Sequence, residues 1–493
     1  MPDSSACCST AAQATCCEPA AKESCCGTTA PGTTPGSTTC GCAEGHPATP
    51  AASAGADDGD PEPLPVAIIG SGPVGLAAAA HLLEHGQRPV ILEAGDEVAA
   101  GVASWGHVPL FSPWRYSVDA AARGLLEAEG WQSPDEEQHP TGAELRAGYL
   151  LPLSQVPALR GRIRTAARVV AVTRRATDKM RDAGRGEAPF ELVLATAKGR
   201  ERLLARAVID ASGTLGGHNP LGSSGVPAPG EPEAGDAIAY GIPDVLAQLE
   251  RYAGRRVLVA GAGHSAMNVL QDLMRIRDAY PATEIHWAVR RRTGEQLFGG
   301  GENDGLPARA ALGRAVAAMA GAGAVVLHHG VRIEALERTH RGIVVLHDEG
   351  AIGPVDQIIA ATGFRPDLAM LREVRLGLDS SVEAPLALAP LIDPNLHSCG
   401  SVPPHGEREL AHPEPGFYIA GMKSYGRAPT FLMLTGYEQV RSIAAALAGD
   451  REAADRVELV LPETGVCKVT TADADGQAGC CAPAPAAEVA DVA

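Results

Sequence analysis

The chain has 493 residues, enough for about three ordinary domains and a large core. Its formal net charge of -18 at pH 7, with no basic stripe set against it, excludes nucleic acid as a partner. Hydrophobic residues make up 45% of the chain but aromatics only 4%, so the core must pack on Ala, Val and Leu, and base-stacking surfaces are scarce.

The first residues, MPDSSACCST, have neither the basic nor the apolar region of a signal peptide, and no run of roughly 18 apolar residues is present to cross a bilayer. A cytoplasmic protein with no membrane partner is expected. Residues 1–62 are rich in Ala, Ser, Thr, Pro and Gly, end in the acidic run Asp57-Asp58-Gly59-Asp60, and show neither helical nor strand periodicity, which predicts a disordered tail. Within it the pairs Cys7-Cys8, Cys16-Cys17 and Cys25-Cys26 recur at a nine-residue period, followed by Cys40-Gly41-Cys42. A second expected tail, 463–493, adds Cys467 and the pair Cys480-Cys481.

Of the twelve cysteines only Cys399 lies between these tails. Disulfide frameworks staple small folds from within, so thiols placed outside the fold read as reduced. Adjacent thiolates on a flexible chain suit a soft metal or metalloid ion. Cys7, Cys8, Cys16, Cys17, Cys25, Cys26, Cys480 and Cys481 are therefore the candidate metal ligands, and a nonspecific scavenger or incidental thiols are the plainer alternative.

Between the tails, apolar β-branched runs alternate with Ala/Leu-rich helical segments, the pattern of a parallel sheet covered on both faces, so the fold class is α/β. The stretch PVAIIGSGPVGLAAAAHLLEHGQRPVILEAG reads as strand, turn, helix, strand. A strand at Val66 to Ile69 leads into Gly70, Gly72 and Gly75: the first for a tight turn, the second for backbone approach to a pyrophosphate, the third for close helix packing. The helix stops at Gly86, and the strand Pro89 to Leu92 delivers Glu93, an acid placed to accept ribose hydroxyl hydrogen bonds and to repel a 2′-phosphate.

The stretch RRVLVAGAGHSAMNVLQDLMRIRDAYPATEIHWAVRRRT repeats the logic, with Gly261, Gly263 and Ala266 after the strand Val257 to Ala260. Its second strand, Glu284 to Val289, ends in Arg290-Arg291-Arg292 rather than an acid. Guanidinium groups there can pair with a 2′-phosphate, which favours NADPH over NADH; a solvated strand end is the plainer reading. His264 reads as a structural residue. The turns Ser212-Gly213 and Thr362-Gly363 each end an apolar run with a small backbone corner that a flat ring system or dinucleotide can pass closely.

Two such fingerprints, one followed by an acid and the other by arginines, resemble the two-dinucleotide-binding-domain flavoproteins. IDASGT (Ile209 to Thr214), AATGFRP (Ala360 to Pro366) and PGFYIAGM (Pro415 to Met422) look like that group's strand ends near the cofactors, and the resemblance covers residues 64 to 450. GVASW (Gly101 to Trp105) resembles the GGxxW region that contacts the flavin in flavin-containing and Baeyer–Villiger-type monooxygenases, the class B flavin-dependent monooxygenases. RYAGRRVLVAGAGHSA resembles their FxGxxVxVxGxGxSA segment, with Tyr252 in place of Phe.

The resemblance implies two Rossmann-like domains. Residues 63–225 would form the first part of an FAD-binding domain, 226–359 an inserted NADPH-binding domain, and 360–462 the return to the FAD domain. FAD and NADPH are the implied cofactors, held by Gly70, Gly72, Gly75, Glu93, Trp105, Gly261, Gly263, Ala266, Arg290, Arg291, Thr362, Gly363 and Gly421. No Asp follows Gly421 and no cysteine pair has two or four intervening residues, and both departures argue against the disulfide-reductase branch. Cys399 reads as a small buried hydrophobe, with a nucleophile or gate as the alternative.

The expected activity is NADPH-driven oxygenation of a small substrate by the reduced flavin, a cofactor chemistry that requires no acid–base motif. GGGEND (Gly299 to Asp304) and KSYGR (Lys423 to Arg427) are either pocket linings or surface loops. The cysteine pairs also look like segments attached to some arsenic-resistance proteins, which implies a thiophilic substrate such as an arsenical. An NADPH-dependent metal or metalloid reductase using the tail cysteines, and a non-catalytic metal(loid)-binding flavoprotein, both stay open, as does a homo-oligomer.

Overall fold

The computed structural model describes residues 63–292, 307–396, 402–428 and 431–459, all within the unit Pro63–Ala493. The expectations for both cysteine tails, Cys399 and GGGEND lie outside the described residues. Strands in chain order are β1 (Val66–Ile69), β2 (Pro89–Leu92), β3 (Ile163–Arg164), β4 (Arg168–Arg174), β5 (Phe190–Thr196), β6 (Gly199–Ala205), β7 (Ala207–Asp210) and β8 (Ile238–Tyr240). Then come β9 (Arg256–Ala260), β10 (Glu284–Ala288), β11 (Val326–His328), β12 (Ile333–Thr339), β13 (Gly342–His347), β14 (Gly350–Val355), β15 (Gln357–Ala360) and β16 (Phe417–Ile419). The longer helices are α1 (Pro73–Glu84), α2 (Ala120–Ala128), α3 (His264–Ala279), α4 (Pro307–Gly321) and α5 (Met433–Leu447).

Two parallel sheets organise these elements. The first has the order β16-β7-β1-β2-β3 and the second β11-β10-β9-β15-β8. The chain leaves the first sheet after β7, builds the second, and returns at β16, so the second is inserted into the first. All four residues of β1 and of β7 are buried, as expected of strands covered on both faces, where neither face is left for polar alternation.

The two faces are covered differently. On one side Ile68, Ile91 and Ile209 pack with Leu76 of α1, Leu126 of α2 and Ile443 of α5. On the other, Ala67, Ile69 and Val208 pack against Val172, Phe190 and Leu192 of the antiparallel sheet β4-β5-β6. The second sheet repeats this plan, with α3 and α4 on one face and the antiparallel β12-β13-β14 on the other.

A buried ion triad ties the first antiparallel layer to the return strand. Glu414, just before β16, accepts from Arg174 Nε at 2.8 Å and Arg185 Nη2 at 2.6 Å. Burial pushes the Glu414 carboxyl up, but the hydrogen bonds from Arg185 and Arg174 outweigh it and hold the group below the usual carboxylate range.

Candidate functional site

Each fingerprint is built the same way. The Gly70 N–H donates to Leu92 O at 2.8 Å, which places Glu93 beside the first turn; the Gly261 N–H donates to Ala288 O at 3.0 Å, which sets Arg290 two residues beyond the second. Gly70 has φ +99°, and a Cβ there would stand 2.8 Å from Ala211 O; Gly261 has φ +131°, and its Cβ would stand 2.2 Å from Ala361 O. Only glycine fits either position. At Gly75 a Cβ would lie 2.0 Å from Gly70 O, so α1 rests directly on the turn, and Ala266 of α3 is fully buried.

Gly72 and Gly263 differ from these. Neither has an atom within 4 Å of an added Cβ, and both have extended backbones, φ -71° and -89°. They are the N-cap residues of α1 and α3, and no side chain caps either helix. Open space in front of uncapped N–H groups at the positive end of a helix dipole is the cradle a diphosphate requires. Both loops therefore fit a dinucleotide on their own geometry.

Charges separate the two cradles. Glu93, mostly buried, accepts the Ser71 N–H at 3.0 Å, the Ser71 hydroxyl at 2.6 Å and the Gly95 N–H at 2.8 Å, which fixes its carboxylate at the rim of the first loop. Ser71 Oγ also accepts the Ala99 N–H at 2.9 Å, so the fingerprint, the acid and the segment leading to Trp105 share one side chain. Arg290, Arg291 and Arg292 are all exposed beyond the end of β10, and Arg292 Nη2 donates to Glu349 Oε1 at 2.9 Å.

Trp105 is half-buried, and a Cβ on Gly142 would stand 2.6 Å from its ring, so the indole packs directly against that glycine. Gly421, with φ +70°, meets Val74 of α1: an added Cβ would come within 3.2 Å, and the Gly421 N–H is held by Gln439 Oε1 at 2.8 Å. Gln439 in turn lies 2.9 Å from His405 Nε2 and donates to Ser424 Oγ at 3.0 Å. Burial holds His405 below the usual imidazole range.

Thr362 and Gly363 lie where the chain crosses between the sheets. The outgoing segment after β7 and the returning one after β15 run side by side, Thr362 Oγ1 donating to Asn219 O at 2.6 Å and the Asn219 N–H to Gly363 O at 2.9 Å. The Arg365 N–H donates to Gly217 O at 2.7 Å, and His218 stands 5.5 Å from the Tyr240 ring and 5.0 Å from Phe364. A second bridge is the edge contact of Phe111 on His264 at the start of α3, with ring centroids 5.2 Å apart.

Most of KSYGR proves to be interior: Lys423, Ser424 and Tyr425 are buried, and only Arg427 at its end is exposed. Lys423 pairs with Asp210 at 2.7 Å, both essentially without exposure. Sequence reasoning passed over this pair, although a charged residue closing each of two apolar runs, VID and FYIAGMK, was the available signal. Among the described residues no group of three or more His, Cys, Asp or Glu side chains could hold a metal ion, and no helix is long and apolar enough to cross a membrane.

No curated protein matches the chain. Among solved structures it is similar to the Bacillithiol Disulfide Reductase Bdr (YpdA) from Bacillus cereus, with 19% identity and a TM-score of 0.57 over 79% of this chain and 99% of that one. It is also similar to a flavin monooxygenase from Stenotrophomonas maltophilia, with 22% identity and a TM-score of 0.53 over 79% and 99% of the two chains. The ornithine N-hydroxylase of Kutzneria sp. 744 aligns over 79% and 100%, with 14% identity and a TM-score of 0.52. At these identities the likeness is one of fold, two parallel-sheet units with the second inserted in the first. Residues 67–387, well over half of the sequence, match the family described as Pyridine nucleotide-disulphide oxidoreductase, and the chain belongs to that family.

Proposed function

We propose that this family member binds FAD at the first cradle and NADPH at the second, and that it oxygenates a small substrate. One observation carries the reading: two open glycine cradles at uncapped helix ends, distinguished by Glu93 at one and Arg290 to Arg292 at the other. FAD supplies the redox chemistry, accepting a hydride from NADPH and passing the electrons on. The chain's own part is to bind and orient. The first-turn N–H groups of α1 and α3 face the diphosphates, Glu93 accepts ribose hydroxyls, and Arg290 and Arg291 pair with the 2′-phosphate. The paired crossing segments, joined by the hydrogen bonds of Thr362 and Asn219, tie the outgoing and returning chains together between the two sheets.

Oxygenation rather than thiol exchange is supported by the GVASW and AGAGHSA segments and by the cysteine spacing, since no two of the twelve have two or four residues between them. The repeated pairs in the tails support a thiophilic substrate such as an arsenical. Steady-state NADPH oxidation, with and without oxygen, across arsenicals, thiols and amines tests the reading. Equal consumption of NADPH and oxygen with one substrate class is the expected result. Anaerobic, metal-dependent NADPH oxidation that disappears in a Cys480→Ala, Cys481→Ala variant would make it a reductase. A purified protein without FAD would make it a metal(loid)-binding protein.

A further inference from the structure

Two opposite charges lie buried at the C-terminal ends of the neighbouring strands β7 and β16. Asp210 closes β7, and Lys423 follows the Gly421 turn; their side chains are 0% and 1% exposed. Lys423 Nζ donates to Asp210 Oδ2 at 2.7 Å and to Ser212 Oγ at 3.1 Å. Ser212 donates to Asp210 Oδ1 from its backbone N–H at 3.1 Å and from its hydroxyl at 2.6 Å. The segments that carry the pair run against the first cradle: a Cβ on Gly70 would meet the O of Ala211, next to Asp210, at 2.8 Å, and one on Gly421, two residues before Lys423, would meet Val74 of α1 at 3.2 Å.

Sheet order decides which half of a dinucleotide passes here. β1 carries the diphosphate loop, β2 with Glu93 lies on one side of it, and β7 and β16 lie on the other. A dinucleotide whose adenosine ribose is held at Glu93 must extend its flavin half across the ends of β7 and β16. The pair is not accounted for by stability, since well-packed apolar residues in place of a buried ion pair are often neutral or stabilising. Its two charges largely cancel at a distance, but removing either leaves one uncompensated in a weakly screening interior.

We propose that the Lys423–Asp210 pair, held by Ser212, positions the flavin half of the cradle and sets the reduction potential of the flavin bound there. The inference rests on the FAD reading. Hydride transfer from NADPH moves two electrons and one proton onto the flavin and releases NADP+, so the site gains one negative charge. A nearby positive charge favours that product and a nearby negative charge opposes it. The intact pair keeps the balance near neutral.

The test is the two-electron midpoint potential of the full-length, FAD-loaded protein, measured by dye equilibration at one fixed pH. Lys423→Met leaves the Asp210 charge alone and lowers the potential, whereas Asp210→Asn leaves the Lys423 charge alone and raises it. Each shift should be at least tenfold in the equilibrium between oxidised and reduced flavin, about 30 mV for a two-electron couple. Lys423→Arg, and the double variant Lys423→Met with Asp210→Asn, should return toward the wild-type potential. Single variants that move in the same direction, or not at all, overturn the inference. If Lys423→Met retains no FAD, Asp210→Asn decides alone, a rise supporting the proposal and an unchanged or lowered potential overturning it. Wild-type protein purified without FAD overturns the cofactor reading itself, and the inference with it.

Discussion

Gly72→Ala should leave the fold intact and weaken FAD binding. Gly72 has φ -71°, which alanine adopts without strain, and an added Cβ has no protein atom within 4 Å. Replacing glycine at an N-cap by alanine costs about 0.5–1 kcal/mol, while the lost chain entropy of the unfolded state returns about 0.4–1 kcal/mol. The ligand-free protein should therefore change in stability by under about 1 kcal/mol. The new methyl stands in the path of the diphosphate, and inserting a methyl into a filled contact costs typically 1–3 kcal/mol, so FAD affinity should fall roughly 5- to 150-fold. Thermal melts must be run on flavin-free protein, because bound FAD would itself raise the melting temperature. Flavin fluorescence quenching gives the affinity. A variant that binds FAD as tightly as wild type, or one that unfolds the flavin-free protein, refutes the assignment of that space to the dinucleotide.

The neighbouring Gly75→Ala should behave oppositely: its Cβ would stand 2.0 Å from Gly70 O, so α1 must move off its strand, and reduced soluble yield with an early melt is expected in flavin-free protein. Arg290→Ser together with Arg291→Ser should raise KM for NADPH roughly 10- to 150-fold, from charge-assisted bonds of about 1.5–3 kcal/mol, with little effect on NADH; an equal effect on both nucleotides would count against the 2′-phosphate contact. Burial pulls the His81 imidazole down, but the charge and hydrogen bond of Asp119 at 2.9 Å, aided by Glu84, hold it at about 9. Since the folded value lies above the unfolded one, the stabilisation is complete below about pH 6.5 and lost as pH rises through about 9, at up to about 1.4 kcal/mol per pH unit. Denaturant titrations across that window should show the slope, and His81→Asn should remove it.

The sequence by itself determined the local machinery. Strand, glycine turn, helix and second strand are contiguous in each fingerprint, and their periodicity and glycine spacing depend only on near neighbours, so both βαβ units, the α/β class and the placement of Glu93 and the arginines beside their turns could be read from residue order. Whatever joins distant segments was decided by tertiary structure. The antiparallel layers β4-β5-β6 and β12-β13-β14 cover the sheet faces opposite the helices, a choice that depends on which apolar face meets which. Thr362 and Gly363 read as a turn near a cofactor, yet their bonds to Asn219 exist only because two linkers far apart in sequence cross side by side. KSYGR stays open between a pocket lining and a surface loop in the sequence, because Lys, Ser, Gly and Arg are ordinary surface residues. Only the parallel pairing of β7 with β16 brings Lys423 to Asp210, where each charge supplies the partner the other needs to be buried.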